Sequence, residues 1–79
     1  MIIVFTEHAL DRMEQRGITE DEIRRVVSCP LNATRGLKGE MRAEGLGQGR
    51  VIKVVYHEKK GLRIIITAWV AGYHEEGRG

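Results

Sequence analysis

The chain has 79 residues, enough for one domain with a thin hydrophobic core. Its composition, 42% apolar and 30% charged, is typical of globular proteins and excludes a disordered chain. The single cysteine, Cys29, excludes an internal disulfide, and with only three histidines it argues against a four-ligand zinc site. We therefore expect a cytoplasmic protein without a metal or cofactor. No apolar run approaches the roughly 18 residues of a membrane span, so we expect no membrane partner.

The net charge of +2 is unevenly distributed along the chain. Residues 1–30 carry a charge of −2, residues 31–70 carry +5 and residues 71–79 carry −1. A positive field over the second half favours a polyanion or an acidic protein as partner. The alternative is a solvated surface without a binding role.

The first predicted elements are a strand and a helix. Residues 1–5 are β-branched and aromatic, and they predict a strand at a sheet edge or paired with a later strand. A helix is predicted over Glu7–Arg16, because Thr6 is a good N-cap and Gly17 occupies the position of a C′ glycine. The buried face of this helix is predicted to contain Ala9, Leu10 and Met13.

A second helix is predicted directly after the first. Thr19 and Glu22 have the spacing of a capping box, and Pro30 ends the helix. Its apolar stripe is formed by Ile23, Val26 and Val27.

The second half of the chain predicts strands. Residues 31–35 and 40–46 have weak strand patterns, whereas residues 50–57 and 62–70 are rich in β-branched side chains. The charged segment 58–61 between the last two ends in glycine, which predicts a β-hairpin. The sequence thus predicts an α+β domain over residues 1–72. A short N-terminal strand and two helices precede an antiparallel β-meander of three to four strands, with the helices on one sheet face. Residues 73–79 are a predicted flexible tail.

Period-two alternation predicts which hairpin side chains face the helices. The predicted inner face consists of Ile52, Val54, Tyr56, Leu62, Ile64, Ile66 and Ala68. The predicted outer face, half open to solvent, consists of Lys53, Val55, His57, Arg63, Ile65, Thr67 and Trp69.

Two groups of side chains are candidates for chemistry. His8, Arg12 and Arg16 recur at i, i+4 and i+8, so they share one flank of the first helix. An imidazole can transfer a proton near neutral pH, and guanidinium groups can hold a phosphate. The alternative is a set of surface ion pairs and a histidine bonded to a backbone carbonyl.

The second group lies on the predicted hairpin. Trp69 can stack on a nucleobase, Lys53 can contact a phosphate, and the Thr67 hydroxyl interrupts an apolar run. The alternative is that Trp69 covers the edge of the core and Thr67 is an ordinary strand residue.

Residues 5–18 carry a specific motif, F-T-x-H-A-x-x-R-M-x-x-R-G-I. It resembles the opening of a widespread bacterial family of domains of unknown function, and the resemblance extends to about residue 70. Members of that family look like small relatives of the RelE and BrnT toxins, in the barnase–colicin–RelE group of metal-independent ribonucleases. The resemblance implies a catalytic site of His8, Arg12, Arg50 and Thr67. The RNA-binding candidates that it implies are Arg16, Lys53, Tyr56 and Trp69.

The leading hypothesis is a toxin-like, metal-independent ribonuclease that cleaves RNA by attack of the 2′-hydroxyl. His8 would transfer a proton, and Arg12 and Arg50 would neutralise the phosphorane. Thr67 would orient an oxygen. One alternative is a non-catalytic module that binds nucleic acid or an antitoxin-like protein. The other is a small domain of unknown role that forms a homodimer through a sheet edge.

Overall fold

The computed structural model describes residues 2–73 of the chain. In chain order its elements are β1 (Ile2–Phe5), α1 (Glu7–Arg16), α2 (Glu20–Ser28), β2 (Asn32–Arg35), β3 (Met41–Leu46), β4 (Arg50–Lys59) and β5 (Leu62–Tyr73). Each corresponds to a predicted element. Strand β5 is longer than predicted, because Tyr73 still pairs with Arg50. Met1 lies outside the described residues, and so do residues 74–79, the remainder of the predicted C-terminal tail.

The five strands form one mixed sheet in the order β1-β5-β4-β3-β2. Strands β2 to β5 are the predicted antiparallel meander. The sheet is more than the predicted meander, because β1 lies at its edge and pairs with β5 in parallel, as predicted for a strand at an edge or paired with a later strand. The reason is topological. Strand β1 precedes both helices and the whole meander, so the chain returns to it only through a long crossover.

Local capping signals fix both helices. The Thr6 side chain accepts a hydrogen bond from the Ala9 N–H at 3.1 Å, and Gly17 ends α1 at a φ of 65°. The predicted capping box of α2 is present, since Thr19 and Glu22 exchange side-chain and backbone hydrogen bonds. These contacts confirm the helix boundaries predicted from the sequence.

Both helices pack on one face of the sheet. Helix α1 lies against β5, and α2 lies against β3 and β4. The buried core contains Ala9, Met13, Ile18, Ile23, Val26, Val27, Ala43, Ile52, Val54, Tyr56, Ile65 and Ala68. Leu10 was predicted in this core but is 43% exposed, because α1 touches mainly one strand and buries only a narrow stripe.

A β-bulge reverses the side-chain alternation within β5. Val55 pairs with Thr67, but the next residue, Tyr56, pairs with Ile65, so Ile66 is the extra residue. Before the bulge the odd-numbered side chains face the helices, and Ile65 is fully buried. The predicted inner face is therefore wrong in this part of β5. The residues predicted there, Leu62, Ile64 and Ile66, are partly exposed.

Candidate nucleic-acid interface

The sheet face opposite the helices carries a shallow cleft of about 230 Å³. We call it the sheet cleft. Its lining residues are Asn32, Thr34, Arg42, Ala43, Glu44, Lys53, Val54, Val55 and Trp69. They come from all four strands of the meander, so the cleft exists only because these strands pair in register.

Strand register arranges the cleft in two transverse rows. The first row contains Asn32, Glu44, Lys53 and Trp69, each directly opposite the next on neighbouring strands. The second row contains Thr34, Arg42 and Val55 in the same way, and Thr67 continues this row beyond the lining of the cleft. With strands about 4.8 Å apart, each row spans roughly 14 Å. The cleft therefore presents an indole at one end, amide and hydroxyl groups at the other, and charges between them.

The charged groups of the cleft are two cations and one carboxylate. Lys53 is exposed, and the Arg42 side chain is 63% exposed although its Nη2 lies 3.1 Å from Glu40 Oε2. Glu44 is half-buried and lies directly opposite Lys53. Arg42 and Lys53 are diagonal neighbours on adjacent strands, within reach of one extended ligand.

Trp69 is the sole tryptophan of the chain and lies half-buried on this open face. Its neighbour Ala68 is fully buried on the helix side, so the indole points away from the helices. Trp69 thus borders the cleft and does not cover the edge of the helix-side core.

His8, Arg12 and Arg16 lie on α1, as predicted. His8 is exposed, and Arg12 Nε donates to His8 Nε2 at 3.4 Å, so these two side chains are adjacent. Arg12 Nη1 also donates to Gln15 Oε1 at 3.0 Å. Arg16 Nη1 donates to the Ala68 carbonyl at 2.8 Å, which anchors α1 to β5.

Arg50 is engaged in an ion pair away from His8. Its Nε and Nη2 donate to the two carboxylate oxygens of Glu22 at 3.1 and 2.9 Å, and Nη2 also donates to the Gly17 carbonyl. The hydrogen bond from Arg50 is the main cause that lowers the pKa of Glu22 to about 2, against the opposing effect of burial. The Gln48 and Thr19 N–H groups lower this pKa further.

The predicted catalytic residues are therefore spread over three places. His8 and Arg12 form a pair in the first turns of α1. Arg50 contacts Gly17 just beyond the other end of α1, nine residues from His8 or about 13 Å of helix rise. Thr67 lies on the open sheet face, directly opposite Val55, but it does not line the cleft.

Tyr56 lies on the helix side of the sheet. It is 4% exposed, and its ring lies 5.5 Å from the Arg63 guanidinium carbon. Its face is therefore covered within the protein and is not available to stack on a base. Arg63 in turn donates to the Val27 carbonyl at 2.8 Å, at the C-terminal end of α2.

Sequence reasoning singled out only Lys53 and Trp69 among the nine residues that line the cleft. Asn32 and Thr34, and likewise Arg42 and Glu44, have the two-residue spacing of side chains on one strand face. That spacing was visible in the sequence. Whether they lie on the same sheet face as Lys53 and Trp69 depends on strand register, and no local pattern in the sequence predicts that register.

Residues 2–73 have neither a cluster of metal-ligating side chains nor a membrane-spanning helix. No group of three or more His, Cys, Asp and Glu side chains in this range is arranged to hold a metal ion. Neither helix in this range has the length and apolar character needed to cross a membrane.

Comparison with known families identifies the domain. Residues 5–70 match the family described as "Domain of unknown function (DUF4258)". The chain belongs to this family. The match covers both helices and extends from Phe5 to Val70 of β5, so the DUF4258 domain includes the whole sheet cleft. No curated protein and no solved structure shows a significant match to the chain.

Proposed function

We propose that this DUF4258 domain binds single-stranded RNA in its sheet cleft. The observation that carries the proposal is the juxtaposition of Lys53 and Trp69, directly opposite each other on an uncovered sheet face. Proteins that bind single strands combine cationic grooves with aromatic side chains on which bases stack. A sheet face with this combination is a recurrent platform for RNA.

The rest of the cleft fits the same ligand. With a base on Trp69, the adjacent phosphates lie within reach of Lys53 and its diagonal neighbour Arg42. The Asn32 amide and the Thr34 hydroxyl offer hydrogen bonds to base edges or to a 2′-hydroxyl. Glu44 accepts hydrogen bonds only, so it favours an exocyclic amino group and disfavours a phosphate at its own position.

An acidic, antitoxin-like protein is the other partner predicted from the charge distribution. The cleft favours RNA over such a protein because Glu44 lies between the two cations. Acidic side chains of a protein partner would be repelled by the Glu44 carboxylate. A nucleotide instead presents anionic phosphates to the cations and hydrogen-bond donors to Glu44. Competition by an acidic protein is therefore an outcome of the binding test.

The binding test uses a fluorescently labelled single-stranded RNA of about 12 nucleotides, a typical site size for a small module. Anisotropy titrations at several salt concentrations compare wild type with Lys53→Ala and Arg42→Ala. Each substitution should weaken binding and reduce the salt slope by about 0.7 for each lost phosphate contact. Arg25→Ala is the matched control, since this exposed cation lies on α2, behind the sheet.

Two results would contradict the proposal. One is an equal loss of affinity in Arg25→Ala, which would show non-specific attraction to positive charge. The other is unchanged RNA affinity in both cleft variants.

We propose RNA cleavage as a second candidate function, supported by the exposed His8 beside Arg12. The Arg12 Nε–H would first turn from His8 Nε2 to the phosphate, which frees this nitrogen. The 2′-hydroxyl would then attack the adjacent phosphorus and pass its proton to His8 Nε2, while Arg12 stabilises the phosphorane charge. The bond from phosphorus to the 5′-oxygen would break, that oxygen would take up a proton from solvent water, and His8 would return its own proton to the solvent. The products are a 2′,3′-cyclic phosphate and a 5′-hydroxyl end. This toxin-like, RelE- or BrnT-like activity needs only the His8 and Arg12 pair from the four predicted catalytic residues.

The cleavage test incubates single-stranded RNA with purified protein and detects 2′,3′-cyclic phosphate ends. His8→Ala should abolish the product, and His57→Ala, on the open sheet face, is the matched control. Cleavage at wild-type rate by His8→Ala would contradict this role. Because the cleavage variant lies outside the cleft, RNA binding and RNA cleavage can fail independently.

A further inference from the structure

Strand β2 forms one edge of the sheet, and all four of its residues are exposed. Exposed leucines flank it on both sides, with Leu31 68% exposed and Leu37 fully exposed. Edge strands of monomeric proteins are protected by short length, charged side chains, proline, bulges or a covering element, and of these β2 has the short length and the charge of Arg35. Strand β2 has no proline, and neither helix packs against it.

Hydrogen bonds close the turn that displays Leu37. The Gly36 N–H donates to the Glu40 carbonyl at 2.7 Å, and the Lys38 N–H donates to Glu40 Oε1 at 3.1 Å. Arg35 Nη1 donates to the Gly39 carbonyl at 3.4 Å. Because these bonds fix the turn, binding at Leu37 would cost little ordering entropy.

Backbone alternation determines which β2 groups point outward. Hydrogen-bonded pairs of an antiparallel ladder recur every second residue, and Gly36 bonds to Glu40 in this ladder. Thr34 and Asn32 therefore direct their backbone groups toward β3. Ala33 and Arg35 direct theirs to the free edge.

We propose that two copies of this chain pair antiparallel through β2, about a two-fold axis at Thr34. In this register Ala33 of each copy lies opposite Arg35 of the other, so the outward backbone groups form hydrogen bonds in both directions. Thr34 lies opposite Thr34, a favourable cross-strand pair. Leu31 lies just outside β2, where its N–H donates to the Glu44 carbonyl at 2.7 Å, and Leu37 lies in the turn after β2. The pairing brings the segment with Leu31 of each copy next to the turn with Leu37 of the other.

The β2 edge is complementary to itself, so a second copy of the chain is the partner that fits it. One two-fold operation brings Leu31 and Leu37 of both copies to the interface. It places Arg35 directly opposite Ala33, so that like charges meet only as the diagonal pair of the two Arg35 side chains. Such self-complementarity is what an isologous interface requires. The axis is perpendicular to the sheet, so the helices of both copies stay on the same face.

Pairing would also join the two sheet clefts, because Asn32 and Thr34 line the cleft and lie at the dimer edge. The joined clefts would bind a longer RNA than one cleft does, and this consequence rests on the proposed function. The dimer itself rests only on the geometry of the β2 edge.

The test is sedimentation velocity of the full chain over a range of protein concentrations. Wild type should show a reversible monomer–dimer equilibrium. Ala33→Pro removes an outward N–H while keeping the β2–β3 bonds, and Leu37→Asp removes the apolar contact. Each should raise the dimer Kd by roughly tenfold or more. Ile2→Asp is the matched control, because Ile2 is an exposed apolar residue on the opposite edge strand.

Circular dichroism establishes that each variant is folded. Should Ala33→Pro unfold, Leu37→Asp, in an exposed turn, still decides the question. A wild type that stays monomeric at roughly 1 mM would overturn the proposal. So would a dimer that only Ile2→Asp disrupts. RNA binding by a folded, monomeric Ala33→Pro would leave the proposed function intact, so the two proposals fail separately.

Discussion

Arg50 and Glu22 form a two-pronged ion pair that ties the start of β4 to the first turn of α2. Arg50 Nε lies 3.1 Å from Glu22 Oε2 and Nη2 lies 2.9 Å from Oε1. The same carboxylate accepts the Thr19 and Gln48 N–H groups, each at 3.0 Å. A Cβ at Gly47 would collide with Glu22 Oε2, so glycine is required where the turn passes this carboxylate. One buried glutamate thus holds a helix cap, a turn and a strand together.

Arg50→Met should lower the free energy of unfolding by about 2 to 3 kcal/mol. It leaves the Glu22 carboxylate buried without its cation, which costs more than the pair itself contributes. Urea denaturation followed by circular dichroism measures the change. Arg24→Met is the control, because the exposed Arg24–Glu20 pair at 3.7 Å should contribute less than about 1 kcal/mol. Equal losses in both variants would refute a structural role for Arg50.

Acid should remove the stabilisation that Glu22 provides. Its pKa is lowered from 4.5 to about 2 in the folded protein, so its contribution is complete above pH 4.5 and is lost as the pH falls toward 2. The contribution is about 3 kcal/mol. In urea titrations at several pH values, the stability gap between wild type and Glu22→Gln should therefore be widest above pH 5 and close near pH 2. A gap that does not change with pH would contradict this assignment.

The bulge in β5 should be detectable in the free energies of unfolding of variants with core substitutions. Ile65→Ala should cost about 2 to 5 kcal/mol, because Ile65 is fully buried against the helices. Ile64→Ala should cost clearly less, since Ile64 is partly exposed on the open face. The free energies of unfolding of the two variants compare matched deletions one residue apart. The reverse order would mean that the alternation read from the sequence holds after all.

The helices were predictable because their signals are local. Thr6, Gly17 and the Thr19–Glu22 box all act within one helical turn. The face of β5 was not predictable, because a single extra residue, Ile66, reverses the alternation and has no distinctive side chain.

The candidate site was only partly predictable for a related reason. Lys53 and Trp69 were identified by type, and the structure places them directly opposite each other. Arg50 was predicted in a catalytic site only through the family resemblance. Its partner Glu22 is 28 residues away in the chain, and no periodic pattern connects the two. Contacts between distant segments are set by packing, which one sequence does not display.

The most direct test of RNA binding in the cleft is the emission of Trp69, the sole tryptophan of the chain. Titration with a single-stranded oligoadenylate should quench this emission along a saturable curve, because a stacked base contacts the indole. The same affinity should appear by anisotropy, and Trp69→Ala should weaken it by about 1 to 3 kcal/mol per stacked base. Binding seen by anisotropy without quenching would place the RNA elsewhere on the domain, and no binding at all would refute the function.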